Sequence, residues 1–105
     1  PAPRVSNPQA EGAYQSKARS QIDRNKRYPD EAQRLGMSGA VVVRYVIGRD
    51  GHLIRAEVEQ SSGYPMLDKA ALQAVRNTKF DPMPPDAWVQ LTEQVFRTRI
   101  EFTLD

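Results

Sequence analysis

The sequence predicts an α+β domain in which helices cover one face of a three-stranded antiparallel/mixed sheet. Three observations carry this prediction. An alternating strand runs into Asp50-Gly51, a strong hairpin signal. An amphipathic helix pattern then separates the hairpin from a last strand of strict apolar and polar alternation. One apolar and one polar face are typical of a sheet covered on one side only.

The first helix is predicted over residues 9–25. Asn7 can cap its start, with Pro8 in the first turn. Its apolar residues form a narrow stripe, which we expect to dock weakly. They are Tyr14, Ala18 and Ile22.

A short second helix is predicted after Tyr28-Pro29, because proline disfavours helical geometry in the residue before it. In "PDEAQRLG" the acidic Asp30 and Glu31 favour the positive end of this helix, and Gly36 ends it.

Two strands are predicted around the hairpin turn, over residues 39–48 and 52–60. In the first, Val41, Val43, Tyr45 and Ile47 share an apolar face, while Val42, Arg44 and Val46 face the other way. In the second, Ile54, Ala56 and Val58 share a face opposite Arg55, Glu57 and Glu59.

The third helix is predicted over residues 66–79 and the third strand over residues 91–104, with a proline-rich loop between them. The inward residues of the helix are Leu67, Ala70, Ala71, Ala74, Val75 and Thr78. Those of the strand are Phe96, Thr98, Ile100, Phe102 and Leu104.

The crossover helix makes the second and third strands parallel, with the first strand between them and antiparallel to both. The predicted strand order is therefore 2-1-3. It leaves the third strand at an edge, with a row of unpaired backbone groups.

The composition argues against catalysis and cofactor binding. There is no cysteine, and one histidine, His52, beside the hairpin makes a transition-metal site unfavourable. Ser61 and Ser62 lack a nearby base, and Glu57 and Glu59 suit a solvated strand face. We expect no cofactor and no enzyme activity, and an enzyme is the least favoured class of function for this chain.

Basic residues are concentrated in residues 1–35, which hold seven Lys and Arg against four Asp and Glu. This pattern is typical of a solvated helix face, and contact with an acidic partner is the alternative. No nucleic-acid motif or stacking platform accompanies the charge, so no nucleic-acid partner is expected. Residues 1–12, rich in proline, are predicted to be the flexible end of a linker, and residues 13–105 a domain. The start at Pro1 suggests a fragment.

Residues 26–104 carry a combination of motifs that resembles the C-terminal domain of TonB-type energy transducers. The motifs are Tyr28-Pro29 with Ala32 and Gly36, Gly39 before the strand, Asp50-Gly51, Ser61-Ser62-Gly63, Leu67-Asp68 with Ala70-Ala71, Val75-Arg76, and Phe80 with Pro82. Their order and spacing are specific, although each motif alone is weak.

The resemblance implies a periplasmic domain of a protein anchored in the inner membrane by an N-terminal helix that is absent here. Such a domain binds the TonB box of outer-membrane receptors. Proton-motive force from ExbB/ExbD-type partners then drives import of iron complexes, haem or vitamin B12. Asn25-Lys26-Arg27 stands before Tyr28-Pro29 where the family pattern has Gln-Pro and one further residue, which suggests a specialised member, for example one dedicated to a haem receptor.

The resemblance also implies two binding surfaces. The first is formed by Arg27, Tyr28 and Pro29. The second consists of backbone groups around Val95, Arg97, Arg99 and Glu101, where an extended peptide can add as a strand. Tyr28 could instead cover the core edge, and Arg97 and Arg99 could only protect the edge from aggregation.

Two further alternatives stay open at this point. A related envelope adaptor or regulatory module would use the same fold with a different protein partner. The free edge would also allow a weak homodimer.

Overall fold

A computed structural model describes residues 5–104 of the chain. The elements are α1 (Pro8–Asn25), α2 (Asp30–Arg34), β1 (Gly39–Gly48), β2 (Leu53–Gln60), α3 (Pro65–Arg76) and β3 (Glu93–Phe102). The predicted order of elements is confirmed, and β1 has the predicted bounds. α3 ends three residues early and β3 is shorter at both ends, which leaves Leu104 outside the strand and exposed.

The sheet has the predicted order, β2-β1-β3, and β1 is antiparallel to both neighbours. β2 and β3 therefore run in the same direction, joined through α3. The inward residues of β1, namely Val41, Val43, Tyr45 and Ile47, are all buried in the core.

The position of Ile54 differs from the prediction. Val46 pairs with Arg55 and Ile47 pairs with Leu53, so the register shifts between them and Ile54 is passed over. Ile54 is 41% exposed, and Leu53 packs on the core with Ala56 and Val58 in its place. The assignment of Ile54 to the apolar face was wrong because a bulge adds one residue and resets the alternation of side chains.

α1 packs more firmly than its narrow stripe predicted. Tyr14 is buried, its hydroxyl donates to the Asp81 carbonyl at 2.7 Å, and its ring contacts Trp88 and Phe96. Burial, followed by the nearby Asp81 charge, raises the pKa of Tyr14 to about 12. Asn7 caps the helix as predicted, its side chain accepting from the Gln9 N–H at 3.0 Å.

The proline-rich loop before β3 is held by Arg49, which follows β1. Its guanidinium donates to four loop carbonyls, those of Pro84, Ala87, Trp88 and Leu91. Its backbone N–H donates to the Thr92 carbonyl at 2.9 Å. The start of β3 is thereby fixed to the end of β1.

The chain before α1 binds the same loop. The Asn7 N–H donates to the Asp86 carbonyl at 2.7 Å, and the Val89 N–H donates to the Ser6 hydroxyl at 2.9 Å. Residues 8–12 were assigned from sequence to the linker and, from residue 9, also to the first helix; they lie in α1. Residues 1–4 lie outside the described part, so the linker itself stays a prediction.

Candidate functional site: the outer edge of β3

β3 offers a regular free edge. It pairs with β1 over ten residues, Glu93 to Phe102, with no shift of register. Within residues 5–104 no strand pairs with its other side. A regular unpaired edge is a template for an added strand.

Two contacts show which backbone groups point outward. The Lys26 ammonium donates to the Glu101 carbonyl at 2.7 Å, and the Gln94 side chain approaches the Val95 carbonyl at 3.4 Å. Because successive residues of a strand direct their backbone groups to opposite sides, the intervening Arg97 and Arg99 also point outward. The four β3 residues that the resemblance implied are therefore among those that direct their N–H and C=O groups outward.

The side chains of these residues lie on the face of the sheet opposite the helices. Arg97 donates to Glu59 on β2 at 2.8 Å, and Arg99 pairs with Glu101 at 3.4 Å. Exposed pairs of this kind contribute only ~0–1 kcal/mol each. They leave the backbone row of the edge uncovered and keep the polar face of the sheet charged.

Tyr28 lies at the far end of β3. Its ring packs edge-on against Phe102 with centroids 5.3 Å apart, and its hydroxyl donates to the Met37 carbonyl. The side chain is half-buried, which also suits the alternative role of covering the core edge. The structure thus brings Tyr28 next to Glu101, the last of the four outward residues.

Arg27 and Pro29 are placed elsewhere. They line a groove of about 280 Å³ against α3, whereas Lys26 and Tyr28 contact β3. The backbone is extended at both Lys26 and Pro29, with ψ of 129° and 136°. The predicted first surface is therefore divided, with alternate residues of the connection facing β3 and α3.

Three residues at the edge were not predicted. Lys26 binds the Glu101 carbonyl and lies 5.7 Å from the centroid of the Phe102 ring. Gln15 and Arg19 of α1 line a small recess of about 70 Å³ beside Arg97. The spacing of the buried α1 stripe was a signal for Gln15 and Arg19, which flank it. No sequence signal marked Lys26, because its contact with Glu101 depends on the path of the chain after α1.

The candidates for chemistry have structural roles. Ser62 donates to Asp68 through its N–H at 2.9 Å and its hydroxyl at 2.8 Å, and the Ser61 hydroxyl donates to the same carboxylate. Partial desolvation opposes ionisation of Asp68, but these hydrogen bonds prevail and hold its pKa below the usual range. The serines therefore fix the start of α3.

The described residues offer neither a cluster of metal ligands nor a helix that could span a membrane. Between residues 5 and 104, no cluster of three or more His, Cys, Asp or Glu side chains could hold a metal ion. Over the same residues, every helix is too short or too polar to cross a membrane.

Comparisons with known sequences agree on one family. Residues 24–104 match the model of the Gram-negative bacterial TonB protein C-terminal region. The chain is 46% identical to Protein TonB of Haemophilus influenzae over 63 residues, covering 60% of this chain and 23% of that protein. It is 34% identical to Protein TonB of Pseudomonas putida over 86 residues, covering 81% of this chain and 35% of that protein. The chain therefore spans about a quarter to a third of the length of these relatives.

Solved structures show the same fold. The solution structure of the Helicobacter pylori TonB C-terminal domain superposes with a TM-score of 0.73 at 25% identity, covering 100% of this chain and 98% of that one. The HasB C-terminal domain superposes with a TM-score of 0.57 at 31% identity, covering 99% and 81%. TolAIII, solved with a peptide from the N-terminus of TolB, shares the fold alone, with a TM-score of 0.63 at 24% identity and coverage of 88% and 76%. From the family match, this chain belongs to the family of TonB C-terminal domains.

Proposed function

We propose that this domain binds a short extended segment, the TonB box, of an outer-membrane receptor by adding it as a fourth strand to β3. Members of the family are energy transducers and interaction proteins, not enzymes. The observation that carries the proposal is the regular outward row of backbone groups from Val95 to Glu101, in which side chains of the described residues contact only the two terminal carbonyls. Such a row binds an extended peptide mainly through backbone hydrogen bonds, and the side chains of the peptide supply selectivity.

The expected affinity follows from the hydrogen bonds the edge can form. About five or six backbone bonds at ~0.5–1.5 kcal/mol each contribute roughly 3–9 kcal/mol. Ordering a flexible peptide costs about 2–5 kcal/mol of this. The remainder corresponds to a dissociation constant near micromolar or weaker, since 1 μM corresponds to about −8 kcal/mol. Such a contact suits repeated cycles of binding and release.

The proposal extends to the whole protein. We place this domain in the periplasm, attached to an inner-membrane anchor that works with ExbB/ExbD-type partners. Proton-motive force, coupled through these partners, would drive import of iron complexes, haem or vitamin B12 through the receptor. A transducer dedicated to one receptor, such as a haem receptor, fits the unusual residues Asn25-Lys26-Arg27. The support for these points is membership of the TonB family.

The test is a titration of ¹⁵N-labelled domain with a TonB-box peptide, followed by amide chemical shifts. We expect changes along residues 93–102 and near Tyr28. The matched control is the same peptide N-methylated at the alternate residues whose N–H groups would face β3, which keeps its side chains and removes its donors to that edge. The control should bind at least about tenfold more weakly, the effect of losing ~1.4 kcal/mol.

Two results would overturn the proposal. Equal binding of the N-methylated peptide would show that side chains, not backbone pairing, provide the contact. No response at β3 to box peptides, with a response to another envelope protein, would favour the adaptor alternative.

The homodimer alternative has its own measurement. A concentration-dependent dimer that dissociates when the peptide binds would show that a second copy competes for the same edge.

A further inference from the structure

We infer that the groove beside α3 binds a segment of a partner protein in which one apolar side chain is flanked by carboxylates. This α3 groove is lined by Asn25, Arg27, Pro29, Met66, Lys69, Ala70, Gln73 and Asn77. It lies on the helix side of the domain, and the inference does not depend on strand addition at β3.

The floor of the groove is apolar and under-filled. Met66 and Ala70 of α3 are half-buried and pack on the margin of the core, and Pro29 closes the groove from the other side. The small Ala70 side chain leaves space where a longer residue would fill it. The volume of about 280 Å³ falls just below the range of small-molecule sites, ~300–1,000 Å³. One large side chain of a bound chain segment suits this space better than a free ligand.

The charge of the rim selects the partner. Arg27 and Lys69 are the charged residues of the lining, and within residues 5–104 neither forms an ion pair. The neighbouring acid on α3, Asp68, is occupied by Ser61 and Ser62. Two uncompensated cations beside an apolar floor favour carboxylates on either side of an apolar anchor. A nucleic acid is disfavoured, since the lining has no aromatic residue for stacking.

The probe for the test is a blocked heptapeptide with a central leucine between two triplets of glutamate. Its own charge repulsion disfavours strand pairing, so binding at the α3 groove is separable from binding at β3. We expect amide shifts at Arg27, Met66, Lys69 and Ala70, with affinity that falls as salt rises. Replacing the leucine by serine should abolish the shifts at Met66 and Ala70.

Two variants and one control locate the site. Lys69→Glu reverses a rim charge, and Ala70→Gln fills the floor without changing charge. Each should weaken the probe by about fivefold or more, corresponding to ~1 kcal/mol. Lys79→Glu makes the same charge change on an exposed residue outside the groove and should stay within about twofold.

Several outcomes would overturn the inference. Equal effects of Lys69→Glu and Lys79→Glu would indicate non-specific attraction to a basic protein. Amide shifts confined to Arg19 and Arg24 of α1, or to β3, would place the contact outside the α3 groove. No amide shifts at millimolar probe would show that the groove does not bind it. Stronger shifts of the same residues with phosphatidylglycerol vesicles would assign the groove to lipid. A box peptide that still binds β3 would leave the proposed function intact.

Discussion

The two outer strands of the sheet treat their free edges differently. β2 has eight residues, and its pairing with β1 shifts register twice, between Val42 and Val43 and between Val46 and Ile47. β3 pairs over ten residues without a shift. Bulges bend a strand and interrupt its row of backbone groups, a common protection against unwanted pairing. The β2 edge is therefore protected against pairing with another strand, whereas the β3 edge stays regular although a regular edge risks aggregation.

The ends of the two strands differ as well. Arg49 holds the start of β3, and Lys26 and Tyr28 contact its end. β2 is bounded by the hairpin turn and by the Ser61–Asp68 contact. Contacts at both ends hold β3 in place, which would reduce the ordering cost of the proposed strand addition.

The largest effect is expected from Arg49→Ala. The variant leaves four loop carbonyls without a charged donor, and hydrogen bonds to charged groups contribute about 1.5–3 kcal/mol each before neighbours and water compensate. We expect a loss of about 3–4 kcal/mol in the free energy of unfolding, measured by urea denaturation. Arg55→Ala on the exposed face of β2 should change it by less than ~0.5 kcal/mol. Similar values for the two variants would contradict the special support of β3.

The comparison of edges is tested directly by proline. Arg99→Pro removes an N–H of β3 that points away from β1. Ala56→Pro removes the corresponding kind of N–H on β2. Ala56 lies opposite Tyr45, and because the Tyr45 backbone groups point to β3, those of Ala56 point away from β1. We expect Arg99→Pro to weaken the box peptide by at least about tenfold and Ala56→Pro by less than twofold. Isothermal titration measures the affinities, and amide spectra check that both variants fold. Equal losses would make the two edges equivalent.

A smaller effect is expected at the end of β3. Lys26 occupies the Glu101 carbonyl, so a strand that pairs along all of β3 must displace it. Lys26→Met should tighten box-peptide binding about threefold, equivalent to ~0.6 kcal/mol, with Lys79→Met as control. Weaker binding would show instead that the ammonium contacts the peptide.

The smallest effect concerns the bounding contact of β2. The pKa of Asp68 is lower in the folded state, so its stabilisation is present above the unfolded value of about 3.9 and is lost as pH falls through the folded value. The difference in urea midpoint between the protein and Asp68→Asn should therefore be present at pH 7 and shrink below about pH 4. Ser62→Ala, which removes one donor, should reduce this pH dependence. A difference independent of pH would exclude the ionised carboxylate as its source.

The sequence was sufficient for the sheet topology, whereas the four residues on β3 came from the family resemblance. Strict alternation in β1 and β3, the Asp50-Gly51 turn and the α3 pattern are local signals, and chain connectivity supplies the rest. Ile54 was misplaced because a bulge leaves no mark in the pattern of apolar residues. Lys26 and the groove position of Arg27 were missed because they depend on packing between segments about 75 and 40 residues apart.

The attachment of α1 has a mechanical consequence. At one end the helix is bound to the loop that leads into β3, through Asn7 and through Glu11, which accepts the Trp88 N–H at 2.8 Å. At the other end the Asn25 side chain donates to Thr78 at 2.9 Å. Tension applied at Ser6 would therefore reach the loop before β3 through a few hydrogen bonds, without passing through the hairpin. A pull at this end of α1 and a strand added at β3, as proposed, would load the same side of the fold.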